Sequence, residues 1–175
     1  MRIVAGEWRG RRIQAPPGRG VRPTTDRVRE AWMSAIAPHL PGARVLDLFS
    51  GSGALGLEAL SRGAERVVFV EQAAPAIRIL QANLETLGAA ARAEIVRSDA
   101  LRYAAALEAG AFDLGLADPP YGQGIGEALV RTFADRPFAA LLCIEHGAAD
   151  VLPELPGART RRYGSTRLTF LPAPS

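Results

Sequence analysis

From residue 44 to residue 145 the chain repeats one unit, a short apolar run followed by a turn and a segment of helical spacing. The apolar runs fall at 45–49, 66–70, 93–96, 112–117 and 139–145 and read as strands, the first, bounded by Gly42 and Gly51, suited to burial on both faces. Between them, 54–62 reads as a helix closed by Gly63. Ile77, Leu80, Leu84 and Leu87 line one helical face before Gly88, 101–107 forms a short helix, and Ile125, Leu129, Val130 and Phe133 mark another. Strict alternation of strand and helix has few solutions. Right-handed βαβ units build a mostly parallel, open α/β sheet with helices on both faces.

The two ends depart from that rhythm. MRIVAGEWRGRRIQAP alternates apolar and polar residues around glycines, which predicts a short β-hairpin or extended arm. In RPTTDRVREAWMSAI, Thr24, Thr25 and Asp26 are N-cap candidates, Val28, Trp32 and Ile36 recur every four residues, and Pro38 stops the helix. At the other end, two alternating segments meet at Tyr163-Gly164-Ser165, predicting an antiparallel C-terminal pair. The expected organisation is a basic arm over 1–22 and one folded domain over 23–175.

Charge is divided along the chain. All 21 basic residues are Arg. Residues 1–31 hold eight Arg against three acids, 32–154 hold nine against 15, and 155–175 hold four and no acid. Basic ends on an acidic middle suggest ends that meet a polyanion, against the plainer reading of solvated Arg on strand edges. The single Cys143 excludes an internal disulfide, and with only His39 and His146 beside it no metal site is apparent. No apolar run has transmembrane length and the start does not resemble a signal peptide, so the expectation is a cytoplasmic protein without membrane contact. Trp32 and Met33 are expected in the core, Trp8 is a weak candidate for stacking on RNA, Cys143 reads as a small buried hydrophobe, and His146 as a satisfied polar residue beside the cleft.

In an open α/β sheet, ligands sit beyond the carboxyl ends of the strands. Four consecutive strands here end in an acid: Asp47, Glu71, Asp99 and Asp118. Gly51-Ser52-Gly53-Ala54-Leu55-Gly56 fits G-x-G-x-x-G, follows a strand and opens a helix, and Glu71 stands twenty residues after Gly51. That spacing matches a nucleoside site in which the glycines admit a ligand and the acid takes ribose hydroxyls. No nicotinamide site or hydride partner is evident, which favours S-adenosylmethionine over a dinucleotide. Asp99 would then accept from the adenine amine, or cap the next helix, or both. Asp47 and the glycine loop would hold the amino-acid part.

Asp118-Pro119-Pro120-Tyr121 suits an exocyclic amine. Such a nitrogen is a poor nucleophile because its lone pair is delocalised into the base. A carboxylate or carbonyl accepting its N–H bonds draws it towards tetrahedral geometry and frees that pair. The prolines fix φ, and Tyr121 offers a stacking face. In-line placement of the reacting atoms would supply most of the remaining acceleration.

VLDLFSGSGALGLEAL, Glu71, SDA and DPPY, in that order, resemble the class I (Rossmann-like) S-adenosylmethionine-dependent methyltransferases that modify amines. RIVAGEWRGRRI, RPTTDRVREAWMSAI and YGSTRLTFL extend the resemblance over essentially the whole chain, to the bacterial 16S ribosomal RNA guanine-N2 methyltransferases. The resemblance implies methylation of one guanine N2 in 16S rRNA, within an assembled or assembling 30S particle, by a monomer. It implies Asp47, Phe49, Ser50, Gly51, Ser52, Gly53, Glu71, Gln72, Asp99 and Ala100 as cofactor positions, and Asp118, Pro119, Pro120 and Tyr121 as the catalytic motif. Arg2, Arg9, Arg11, Arg12, Arg22, Thr24, Arg27 and Arg29 are the implied RNA contacts. DPPY alone does not choose the base, so a DNA adenine-N6 methyltransferase is the nearest alternative. The glycine loop alone would permit a dinucleotide-dependent oxidoreductase, or a mere turn in a non-catalytic RNA-binding module.

Overall fold

The computed structural model describes residues 1–16 and 23–175, with side-chain surroundings from Asp26 onward in the second segment. The expected RNA contacts Arg22 and the Thr24 side chain lie outside the described residues. Seven strands form one sheet: β1 (Arg44–Leu48), β2 (Arg66–Glu71), β3 (Ala93–Arg97), β4 (Phe112–Ala117), β5 (Ala139–Gly147), β6 (Arg159–Tyr163) and β7 (Thr166–Pro172). Their order is β3-β2-β1-β4-β5-β7-β6. β1 to β5 run parallel, and β7 and β6 close the sheet antiparallel. β1 pairs with both β2 and β4, so the strand order reverses there and opens a crevice at their carboxyl ends.

The central strands have no solvent face. β1 is buried from Val45 to Leu48 and β2 from Val67 to Val70, which explains why they read as unbroken apolar runs rather than alternating ones. Helices α1 (Pro23–Ile36), α2 (Ala54–Ser61) and α3 (Ala74–Leu87) cover one face through Trp32, Met33, Leu57, Leu60, Leu80 and Leu84. α4 (Ala100–Ala105) and α5 (Ile125–Asp135) cover the other through Ala104, Leu129, Val130 and Phe133. Gly88 ends α3 in the left-handed conformation, as its place after the apolar face predicts. α1 starts at Pro23, so the residues read as N-caps fall in its first turn, where Pro at the first helical position loses no hydrogen bond.

The amino-terminal arm is docked rather than extended. Arg2 and Arg12 form an isolated antiparallel bridge, and Ile3, Trp8 and Ile13 are buried in the same core as α1 and α2. The fully buried carboxylate of Glu58 accepts from Val4 N–H, Ala5 N–H and Arg62. Gly6, at φ +87°, lies so close to α2 that a Cβ would stand 1.9 Å from the Ser61 carbonyl oxygen. No helix among the described residues is long and apolar enough to cross a membrane.

Candidate active site

The carboxyl end of β1 is strained where a ligand would lie. β1 stops at Leu48, one residue short of expectation, because Phe49 turns to φ 58°. Among the described residues it alone adopts positive φ without being glycine, a conformation that disfavours bulky side chains by about 1–3 kcal/mol. The chain then turns through Ser50–Gly53 into α2. Gly56 leaves no room for a side chain unless its neighbours shift: a Cβ there would lie 2.3 Å from the Phe69 ring and 2.9 Å from Asp47 Oδ2.

The acids at this end hold the backbone. Asp47 is 1% exposed and accepts the Gly56 N–H at 3.0 Å. Burial pushes its pKa up to about 7, opposed by the Gly56 N–H and helped by Glu71. It therefore braces the start of α2 instead of standing open to a ligand. Glu71 accepts from Gly51 N–H at 2.9 Å and from the N–H groups of Gln72 and Ala73, each at 3.0 Å. A carboxylate has about four acceptor positions, which leaves room for a ribose hydroxyl. Asp99 caps α4 through the Arg102 N–H at 2.9 Å while remaining exposed, so the capping role coexists with an accessible carboxylate. Ala100 is buried behind it and Gln72 is exposed.

These residues fit an adenosyl amino-acid cofactor on two further counts. The Ser50 hydroxyl is buried without a hydrogen-bond partner, and Gly51 faces open space, with nothing within 4 Å of where a Cβ would stand. Ser52 is held from behind, its carbonyl accepting from Asn83 Nδ2 at 3.0 Å.

Asp118–Tyr121 follows β4, and Pro119, Pro120 and Tyr121 wall a cleft of about 230 Å³ with Glu145, His146 and Asp150. Tyr121 donates its hydroxyl to Glu145 Oε1 at 2.6 Å and lies 3.3 Å from Thr166 Oγ1. Its ring is packed so close to Gly147 that a Cβ there would come within 3.1 Å. Burial and then the Glu145 contact raise the Tyr121 pKa, so it stays a protonated donor. Asp150 accepts from both Gly122 N–H and Gly147 N–H at 2.9 Å, tying the loop to the end of β5. Asp118 keeps solvent access, yet its pKa is raised, first by desolvation of its carboxyl group and then by the neighbouring carboxylates of Glu145 and Asp47. Two acids this close cannot both ionise freely.

Glu145, Asp150 and Thr166 join the site although the sequence does not single them out. Glu145 carries the same signal as the four acids named above, since it too stands near the carboxyl end of a parallel strand. Asp150 and Thr166 have no local signal for their link to the Asp118–Gly122 loop; their partners there are 28 and 45 residues away. His146 is satisfied at both ring nitrogens, by Gly147 O at 3.1 Å and Thr169 Oγ1 at 2.7 Å. Burial lowers its pKa.

The basic residues separate into surface and core. Arg2, Arg9, Arg11, Arg12 and Arg27 are exposed. Arg29 is not: it is 7% exposed, donates to the Arg2 carbonyl at 3.0 Å and pairs with Asp26 at 3.5 Å. Its face of α1 is turned onto the arm, which removes it from the expected RNA-facing set. Trp8 is likewise core, 7% exposed under the Arg92 guanidinium, and offers no stacking face.

A family model described as "Conserved hypothetical protein 95" matches residues 1–172. The chain belongs to this family. It is 38% identical over 159 residues to ribosomal RNA small subunit methyltransferase D of Escherichia coli K12, covering 89% of this chain and 79% of that protein. The solved structure of yhhF from Escherichia coli superposes with a TM-score of 0.86 at 34% identity, covering 100% of this chain and 98% of that one. The 16S rRNA N2 G1207 methyltransferase of Thermus thermophilus, solved with AdoMet and guanosine, gives a TM-score of 0.66 at 25% identity over 89% of this chain and 44% of that one. The fold is that of the class I methyltransferases.

Proposed function

We propose that this protein transfers a methyl group from S-adenosylmethionine to the exocyclic N2 of a guanine in 16S ribosomal RNA, within a 30S particle or its precursor. The observation that carries this reading is the pairing of β1 with β4, which sets the start of the glycine loop beside Asp118–Tyr121, whose tyrosine is hydrogen-bonded to Glu145. The names of the relatives support the RNA substrate, and the guanosine in the Thermus structure supports the base.

When bound, the cofactor supplies an electrophilic methyl group. Glu71 would hold the ribose, Asp99 the adenine amine, and Ser50 with Gly51 the amino-acid portion. The chain's own contribution lies on the acceptor side. Guanine presents N–H donors at N1 and N2, and the neighbouring carboxyl groups of Asp118 and Glu145 carry acceptor oxygens for them. Tyr121, fixed by Glu145 and Gly147, presents its ring to the base, and the prolines hold the backbone carbonyls in place. The exposed arginines of the arm would take phosphates.

The test is methylation of 30S subunits from cells lacking this gene, with labelled S-adenosylmethionine and mapping of the labelled nucleotide. One N2-methylguanine in 16S rRNA is expected. Label on adenine, or calorimetric binding of NAD in place of S-adenosylhomocysteine, would overturn the reading.

A further inference from the structure

The hairpin of β6 and β7 carries Arg159, Arg161, Arg162 and Arg167, and residues 155–175 contain no acid. Among the described residues none of these four takes part in an ion pair. β6 is the outer edge of the sheet, and Arg159–Arg162 are all exposed. On one face of the strand, the Arg161 guanidinium lies 5.8 Å over the Phe170 ring, which orders it at the surface. On the other, Arg162 and Arg167 are direct cross-strand partners. Like charges placed opposite one another oppose strand pairing.

The hairpin also touches the cleft. The Ser165 carbonyl in its turn accepts the Ala148 N–H at 3.0 Å, and Thr166 stands beside the Tyr121 hydroxyl. Charge on an edge strand does guard against edge-to-edge pairing. That purpose is served by either sign, and by mixed signs better than by a repelling pair. A uniformly cationic edge beginning at the catalytic tyrosine has the chemistry of a phosphate track.

We propose that the exposed edge of β6, through Arg159, Arg161 and Arg162, is a second RNA-binding surface that grips backbone phosphates next to the nucleotide held in the cleft. It acts together with the arm, from the opposite end of the chain. The proposal rests on the RNA methyltransferase reading above.

Three triple variants at these positions test it: all Gln, all Glu and all Lys. For Gln, we expect the KM for 30S subunits to rise at least tenfold, with kcat at saturation and S-adenosylhomocysteine affinity within twofold of wild type. The slope of log binding against log salt should fall by about 2–3, near one for each phosphate that the variant no longer neutralises. Glu should be worse than Gln, and Lys should restore most of the binding. Thermal melting of each variant separates these effects from misfolding; Lys and Gln variants melting alike but differing in KM would confirm that charge is the cause. Unchanged KM and salt slope in a folded Gln variant would sink the proposal, as would a Glu variant equal to Gln. If the wild-type protein methylates no RNA, the functional reading itself fails.

Discussion

The two halves of the crevice use carboxylates in opposite ways. On the glycine-loop side, Asp47, Glu71 and Asp99 each accept backbone N–H groups, so their charges hold loops and helix starts in place. On the Asp-Pro-Pro-Tyr side, Asp118 and Glu145 crowd one another, and the hydroxyl of Tyr121 is the contact that anchors Glu145. One half has its carboxylates bonded to backbone before any ligand arrives. The other keeps two carboxyl groups side by side at the expense of electrostatic repulsion; in the proposed function they serve the N–H groups of a base. Cofactor binding should therefore survive damage to the second half, and turnover should not.

The largest effect that would break this contrast is at Asp118. Asp118→Ala should lower methyl transfer by about 10²–10⁴-fold, with S-adenosylhomocysteine affinity measured by calorimetry nearly unchanged. A parallel loss of cofactor affinity would mean the two halves are not separable. The raised pKa of Asp118 adds that turnover should decline on acidification well above the ordinary carboxylate range.

Asp47 tests the other half through pH. Its folded pKa of about 7 exceeds the usual 3.8, so between those values the folded state binds more protons than the unfolded state. Stability contributed by this group is therefore greatest below about pH 4, falls as pH rises to about 7, and is flat beyond. The decline should amount to a few kcal/mol, at about 1.4 kcal/mol for each pH unit crossed between the two values. Denaturant titrations across that range should show the decline in the wild type and a flatter profile in Asp47→Asn.

Gly56→Ala drives a methyl group into Phe69 and Asp47, and should destabilise the protein by about 1–3 kcal/mol. It should also weaken S-adenosylhomocysteine binding, since Asp47 and the loop would shift together. Tyr121→Phe should have the smallest effect. It removes one hydrogen bond to a charged group, about 1.5–3 kcal/mol at most where buried and less at this open site. We expect KM for RNA to rise severalfold while cofactor affinity holds.

Most of the fold is legible in the sequence because its signals are local. Glycine after an apolar helical face, and unbroken apolar runs between turns, dictate their own conformations; strand limits differ from expectation by only one or two residues. The exception at Phe49 is a place where tertiary contacts hold a residue against its backbone preference. The glycine loop and Asp118–Tyr121 are legible for a similar reason, being contiguous motifs with steric demands of their own. Arg29 and Trp8 escape such reasoning because charge and aromaticity do not reveal the side on which a side chain is buried. Their neighbours in sequence suggest a surface, and both face inward because the arm folds back on α1 and α2.

By itself, then, the sequence determined the order of strands and helices, the crevice at their carboxyl ends, and the acids that mark it. Periodicity and glycine sterics act over a few residues and need no distant partner. Only the tertiary structure decided that Asp47 is a buried brace, that Glu145 and Thr166 fix Tyr121, and that Asn83 ties the arm at Gln14 to the loop at Ser52. Those roles depend on hydrogen bonds between residues 9 to 69 positions apart, whose geometry exists only once the sheet has brought its strand ends together.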